Sequence, residues 1–189
     1  NTVQLGRDYL NESRLINFRK IYAKKSIISS KKRKYFLTKY RNSLLTHQGP
    51  RAYIDVYNDK MFLITGTGVI GYNNLNNLNF TSKENFDLKV INSNLNEIIG
   101  KDYILSNTNF ITGLLVFNNK LYISFVDNTN SKNCYTMSIL YSEMNLEKIK
   151  FEKFFDSGQC FTDYSYQAGG AMFPLNEDEI LFSIGDFEF

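Results

Sequence analysis

The chain has 189 residues, enough for one domain or one domain with an extension, and its 43% hydrophobic and 15% aromatic content supports a packed core suited to strands. The net charge of +3 hides an asymmetry: residues 1–51 hold thirteen Lys or Arg against Asp8 and Glu12, whereas residues 52–189 hold nine against seventeen acids. The single histidine, His47, excludes a His-based metal cluster, and no apolar run approaches the ~20 residues of a membrane helix.

Residues 1–47 form a basic extension, predicted to be helical. Leu15, Phe18, Ile21 and Tyr22 recur at helical spacing within 9–28. Ser29 and Ser30 stand where they would cap a second helix over 31–45, with Phe36, Leu37, Tyr40 and Leu44 on one face. Its first turn would carry Lys31-Lys32-Arg33-Lys34. Such a run suits an anionic partner, either nucleic acid or acidic lipid headgroups. The plainer reading is a solvated extension packed on the acidic remainder. It is preferred, because the aromatic and basic residues do not interleave as in single-strand binders.

Gln48-Gly49-Pro50 marks a boundary, and strands dominate from 48 to 189. They are predicted at 52–57, 60–66, 68–72, 86–91, 113–118, 120–126, 134–142, 148–155, 170–174 and 179–184. Residues 73–79 read as an Asn-rich loop. Residues 93–110 read as an excursion with a short helix at 95–99.

Gly66-Thr67-Gly68-Val69-Ile70-Gly71 spells a dinucleotide fingerprint after a strand. The residues that follow, Tyr72-Asn73-Asn74-Leu75, make a poor helix, so no helix N-terminus is offered to a pyrophosphate. A tight turn between strands is the better reading. Residues 127–131, Asp-Asn-Thr-Asn-Ser, look like the start of a calcium loop but lack its glycine at the sixth place and its Glu at the twelfth, where Ser138 stands. They read as a polar hairpin loop. His47 lies in the extension and reads as a linker residue, not as the base of a Ser-His-Asp site.

Cys134 and Cys160 enclose 25 residues, the first at the start of a predicted strand and the second in a loop. A disulfide is preferred to two buried thiols. It would contribute about 3 kcal/mol by loop entropy and would point to an oxidising compartment, periplasmic or extracellular.

One pattern organises all of this. Residues 54–65 read Ile-Asp-Val-Tyr-Asn-Asp-Lys-Met-Phe-Leu-Ile-Thr, and residues 114–125 read Leu-Leu-Val-Phe-Asn-Asn-Lys-Leu-Tyr-Ile-Ser-Phe. A third copy, 167–186, runs Gln-Ala-Gly-Gly-Ala-Met-Phe-Pro-Leu-Asn-Glu-Asp-Glu-Ile-Leu-Phe-Ser-Ile-Gly-Asp. Lys60, Lys120 and Glu179 occupy matching places, 60 and 59 residues apart. Strand–turn–strand copies at near-fixed spacing are the mark of a stacked or radial all-β array. Gln167 and Asp186 bracket the third copy, and strand-end side chains at such a place converge on one mouth of the array. Read alone, they are either site residues or turn residues.

Residues 113–125 and 166–186 resemble the soluble quinoprotein glucose/sorbosone dehydrogenase family, which reads roughly His-Asn-Gly-Gly-Arg at the first site and Gly-Asp at the second. Residues 52–72 resemble it more weakly, and 1–47 not at all. The resemblance implies about half of a six-bladed β-propeller, with pyrroloquinoline quinone and calcium as cofactors and a sugar as ligand. Asp186 matches the family aspartate, and Gly169 and Gly170 match the glycine pair near the cofactor. Gln167 stands at the catalytic histidine and Ala171 at the arginine. A glutamine cannot accept a proton as histidine does. Two functions follow as expectations: a quinone-dependent sugar dehydrogenase, or a non-catalytic propeller that binds a ligand or protein at the same mouth. The resemblance also implies further blades, supplied by the same polypeptide or by a second chain.

Overall fold

The computed structural model describes residues 17–18, 25–29, 34–38, 52–66, 68–77, 86–100, 110–128, 134–161 and 168–185. In chain order the strands are β1 (Asn17–Phe18), β2 (Lys25–Ser29), β3 (Lys34–Thr38), β4 (Ala52–Tyr57), β5 (Lys60–Thr65) and β6 (Ile70–Asn74). A 3-10 turn (Leu75–Asn77), β7 (Phe86–Asp87), β8 (Lys89–Ser93) and the helix α1 (Leu95–Ile99) follow. The chain continues through β9 (Ile111–Phe117), β10 (Lys120–Asp127), β11 (Thr136–Glu143), β12 (Lys148–Ile149) and β13 (Glu152–Asp156). It ends on β14 (Gly169–Pro174) and β15 (Ile180–Ile184).

The three sequence copies are three hairpins, and two of them grow into sheets. In the first unit β4, β5, β6 and β8 run antiparallel in that spatial order. In the second, β9, β10, β11 and β13 do the same. The third is the hairpin β14–β15. The architecture is therefore all-β, and the sheets do not close into a barrel among the described residues. The first strands lie next to one another, with β9 packed on β4 and β14 packed on β9.

Turn chemistry explains the hairpins. Asn118 and Asn119 take φ of 48° and 57°, the left-handed pair that a two-residue hairpin needs to match strand twist. Asn58 does the same in the first copy, at 55°. The third turn is longer, and Asn176 supports it by accepting the Asp178 amide on its Oδ1 at 2.9 Å. The Gly66–Gly71 fingerprint is the β5–β6 turn. Gly68 sits at φ 86°, and Thr65 and Val69 exchange backbone and side-chain bonds across it. A glycine-rich turn that returns directly into a strand offers no helix end to a phosphate.

The main core fills the space between the first two units. Phe62, Ile64 and Ile70 meet Val116, Leu121, Ile123, Phe125 and Leu140 there, all buried. At the outer edge the connection after β11 reaches back to the first sheet. Its β12 pairs in parallel with β8, and Ile149 and Phe151 bury themselves beside Leu95 and Ile99. Asn94, the residue before α1, leaves the helix uncapped and uses its side chain on Phe151 instead, donating to the carbonyl at 3.1 Å and accepting the amide at 2.7 Å.

The helical extension is overturned where the structure describes it. Residues 25–29 and 34–38 form the antiparallel hairpin β2–β3, and Asn17–Phe18 pairs with Phe86–Asp87. Ser29 ends a strand and caps no helix. The reason lies in the residues: in register, Ile27 stands opposite Phe36 and Ile28 opposite Tyr35, β-branched and aromatic types that favour paired extended backbone. The boundary at 47/48, with His47, lies outside the described residues. Smaller corrections follow from packing. Asn73 and Asn74 belong to β6 and not to a loop, because β5 extends far enough to pair them. The strand expected at 148–155 divides at Lys150–Phe151, where the chain passes from the first sheet to the second.

Candidate functional site

The mouth expected around 167–186 corresponds to one end of the sheets, where β9 and β14 begin and β10, β13 and β15 finish. Gln167 and Asp186 lie outside the described residues. Their neighbours are paired: the Gly185 amide donates to the Ala168 carbonyl at 2.7 Å, and Ala168 is buried against Val126 and Met137.

Gly169 and Gly170 sit at φ 82° and 112°, backbone that side chains rarely adopt. Their surroundings are already filled. A Cβ on Gly170 would run into the Thr112 side chain, and one on Gly113 would strike the Gly170 carbonyl. The two strands come this close because both are bare at the crossing. Ser124 locks the crossing. Its hydroxyl donates to the Gly170 carbonyl at 2.6 Å and accepts from Thr112 Oγ1 at 3.0 Å. Thr112 is the extra residue of a bulge: Ser124 pairs with Gly113 and Phe125 with Ile111. The third unit repeats the device. Ser183, 59 residues after Ser124, sits at a second register shift and bonds the Ala171 backbone, accepting its amide at 3.1 Å.

At the same end of the second sheet lies a charged network. Asp127 is only 2% exposed, and it accepts from Ser138 Oγ at 3.2 Å and Lys153 Nζ at 3.1 Å. Lys153 also donates to Asp156 at 2.6 Å, and Asp156 accepts from Thr136 Oγ1 and the Gly158 amide, both at 2.9 Å. Burial pushes Asp156 up, but the bonds from Lys153, Gly158 and Thr136 outweigh it and hold the carboxyl below its usual range. Burial likewise pulls Lys153 down, and its two carboxylate partners win, keeping the ammonium more basic than usual. The expected Cys134–Cys160 disulfide is present at this same end. Tyr135 and Phe161, next to the two half-cystines, exchange backbone bonds of 2.8 and 2.9 Å. Asp127 thus ends a strand and holds the network together, and residues 129–131 of the expected polar hairpin loop lie outside the described residues.

Of the residues that the resemblance sets beside a quinone and calcium, Gly169 and Gly170 are described and Gln167 and Asp186 are not. No group of three or more His, Cys, Asp or Glu side chains converges among the described residues; a Cβ on Gly170 would meet Thr112 and Ser124, and one on Gly169 would meet the backbone of residues 183–185. No chemical step is derived through either group. At the opposite end of the second sheet an open cleft of about 310 Å³ is lined by Tyr141, Glu143, Asn145, Lys148, Lys150 and Glu152. Two acids, Glu143 and Glu152, face two lysines, Lys148 and Lys150, so it presents no single-sign field to a ligand.

Reasoning from the sequence missed Ser124, Thr112 and the Asp127–Lys153–Asp156 network. The match of Ser124 to Ser183 in the repeat was available as a signal for the first. The network joins residues that no motif links. No family model, curated protein or solved structure matches the chain.

Proposed function

We propose that residues 52–185 are successive blades of a β-propeller that serves as a non-catalytic binding module, engaging a ligand or protein partner at the sheet ends where β9 and β14 begin. The observation that carries the reading is the side-by-side placement of the first strands β4, β9 and β14, the arrangement that gathers strand ends around an axis. The chemistry of that end favours binding over turnover. Ser124 is committed to the Gly170 carbonyl, and the Lys153 ammonium is held between the Asp127 and Asp156 carboxylates. The position that resembles a catalytic histidine is Gln167, which cannot titrate. The disulfide suits an oxidising compartment, and we place the protein in the periplasm or outside the cell.

The test supplies the purified protein with pyrroloquinoline quinone, calcium and a panel of aldoses, and follows dye reduction. The expected result is a rate indistinguishable from protein-free controls. Turnover in the ordinary enzyme range, roughly 1 to 10³ per second, would overturn the reading in favour of a quinone-dependent sugar dehydrogenase.

A further inference from the structure

After β13 the chain runs on beside the start of β11 as a strap, residues 157–161, held by two anchors. At its base the Ser157 amide donates to the Met137 carbonyl at 2.9 Å, and the Ser157 and Thr136 hydroxyls lie 2.7 Å apart. Thr136 also donates to Asp156, which ties the base to the charged network. At its tip Tyr135 and Phe161 exchange their two backbone bonds, and the Cys134–Cys160 bridge stands next to them. Between the anchors Gly158 sits at φ 67°, and nothing lies within 4 Å of where its Cβ would be. Unobstructed glycine backbone of this kind can absorb a change of direction at little cost.

The tip covers an apolar cluster. Phe161 packs with Tyr135 against Val126, Met137 and Ala168, all three buried. Ala168 also accepts the Gly185 amide, so the covered cluster lies where the second and third units meet. The two sulfurs that fasten the tip are unequally placed, Cys134 half-buried and Cys160 exposed. An exposed bridge is open to attack by a thiolate, and bridges of that kind are the labile and regulatory ones.

We propose that the Cys134–Cys160 bridge is a redox lock on this strap. A dithiol reductant attacks as its thiolate at the Cys160 sulfur and forms a mixed disulfide there. The Cys134–Cys160 bond breaks, and the Cys134 sulfur leaves as a thiolate and takes up a proton. The second thiol of the reductant then displaces the Cys160 sulfur, which is protonated in turn, and the reductant departs as its own disulfide. Two electrons and two protons have passed to the protein. With the bridge gone, the tip swings about Gly158 while the base stays on Met137. Phe161 withdraws, and Val126, Met137 and Ala168 open to an apolar group of a ligand. The device lies at the end where binding is proposed above, but its test reads the strap alone, so either inference can fail without the other.

Hydrogen exchange of the full chain under native conditions, before and after treatment with dithiothreitol, tests the lock. The dithiol is expected to make both cysteines available to alkylation without denaturant. The Tyr135 and Phe161 amides are expected to exchange about 100-fold faster in the reduced protein, the factor that loss of a loop of this length allows. The Ser157, Ile123 and Leu140 amides stay protected over the same interval, and binding of an anilinonaphthalene sulfonate dye rises. A variant with Cys134→Ser and Cys160→Ser matches the reduced protein without any reductant. A bridge that resists the dithiol until the protein is denatured would overturn the proposal. So would unchanged exchange at Phe161 after reduction, no rise in dye binding, or a serine variant that exchanges like the oxidised protein. Loss of protection at Ile123 and Leu140 together with the strap would also overturn it, because the bridge would then support the whole sheet and not the strap.

Discussion

Ser124→Ala removes one oxygen from the crossing of β9, β10 and β14, and the structure sets the size of the effect. Ser124 is fully buried, and its hydroxyl satisfies the Gly170 carbonyl at 2.6 Å while accepting from Thr112 at 3.0 Å. Alanine leaves the buried Gly170 carbonyl without that donor. An orphaned buried polar group costs about 1–3 kcal/mol, so the expected loss is about 2 kcal/mol. For a chain of this size that lowers Tm by roughly 4–8 °C. The control is Ser183→Ala, the equivalent position in the third unit. Ser183 is exposed and bonds only the bulged backbone of Ala171, so water replaces it and the loss stays within about 0.5 kcal/mol. Urea unfolding measures both, read as a shift of midpoint at constant slope. Equal losses for the two serines, or a Ser124→Ala loss below about 0.5 kcal/mol, would refute the account of the crossing.

The remaining predictions concern the bridge, the charged network and the second turn. Alkylation under denaturing, non-reducing conditions is expected to label neither Cys134 nor Cys160, and replacing both by Ser costs about 3 kcal/mol; two labelled cysteines by intact mass would end this. Asp156 has a depressed folded pKa, so its contribution is present above the unfolded carboxyl value and disappears as pH falls through the folded one. Lys153 has a raised folded pKa, so its contribution is present below the unfolded ammonium value and is lost as pH rises through the folded one. Lys153→Met is therefore expected to flatten the stability profile at both extremes, and to cost about 1–2 kcal/mol at neutral pH once solvent screening of the 41%-exposed Lys153 side chain is discounted; an unchanged acid limb in urea midpoints measured against pH would contradict it. Asn119→Gly is expected to leave stability level or slightly higher, and Asn119→Ala to lower it by about 1 kcal/mol, by differential scanning calorimetry; an alanine variant as stable as glycine would deny the left-handed turn its role.

Much of the architecture was legible in the chain because it is local. The alternating apolar runs, the Asn-Asp and Asn-Asn turns and the 60- and 59-residue spacing fix where hairpins form, since a two-residue turn and a period of two leave the backbone few alternatives. The helix at 95–99 and the glycine-rich β5–β6 turn were legible for the same reason. The extension was misread because four apolar residues at helical spacing do not exclude a strand, and pairing of Ile27 with Phe36 and of Ile28 with Tyr35 outweighs a weak helical preference. What only the tertiary structure decided is which equivalent residues are equivalent in energy. Ser124 and Ser183, or Tyr122 and Leu181, match in the repeat, yet one of each pair is buried between units and the other faces water. Burial is set by what packs from across the molecule, and so is the meeting of Asp127 with Lys153, 26 residues away in sequence. Local pattern carries no record of such neighbours. It specifies the units, and the close approach of bare backbone at Gly113 and Gly170 specifies how they meet.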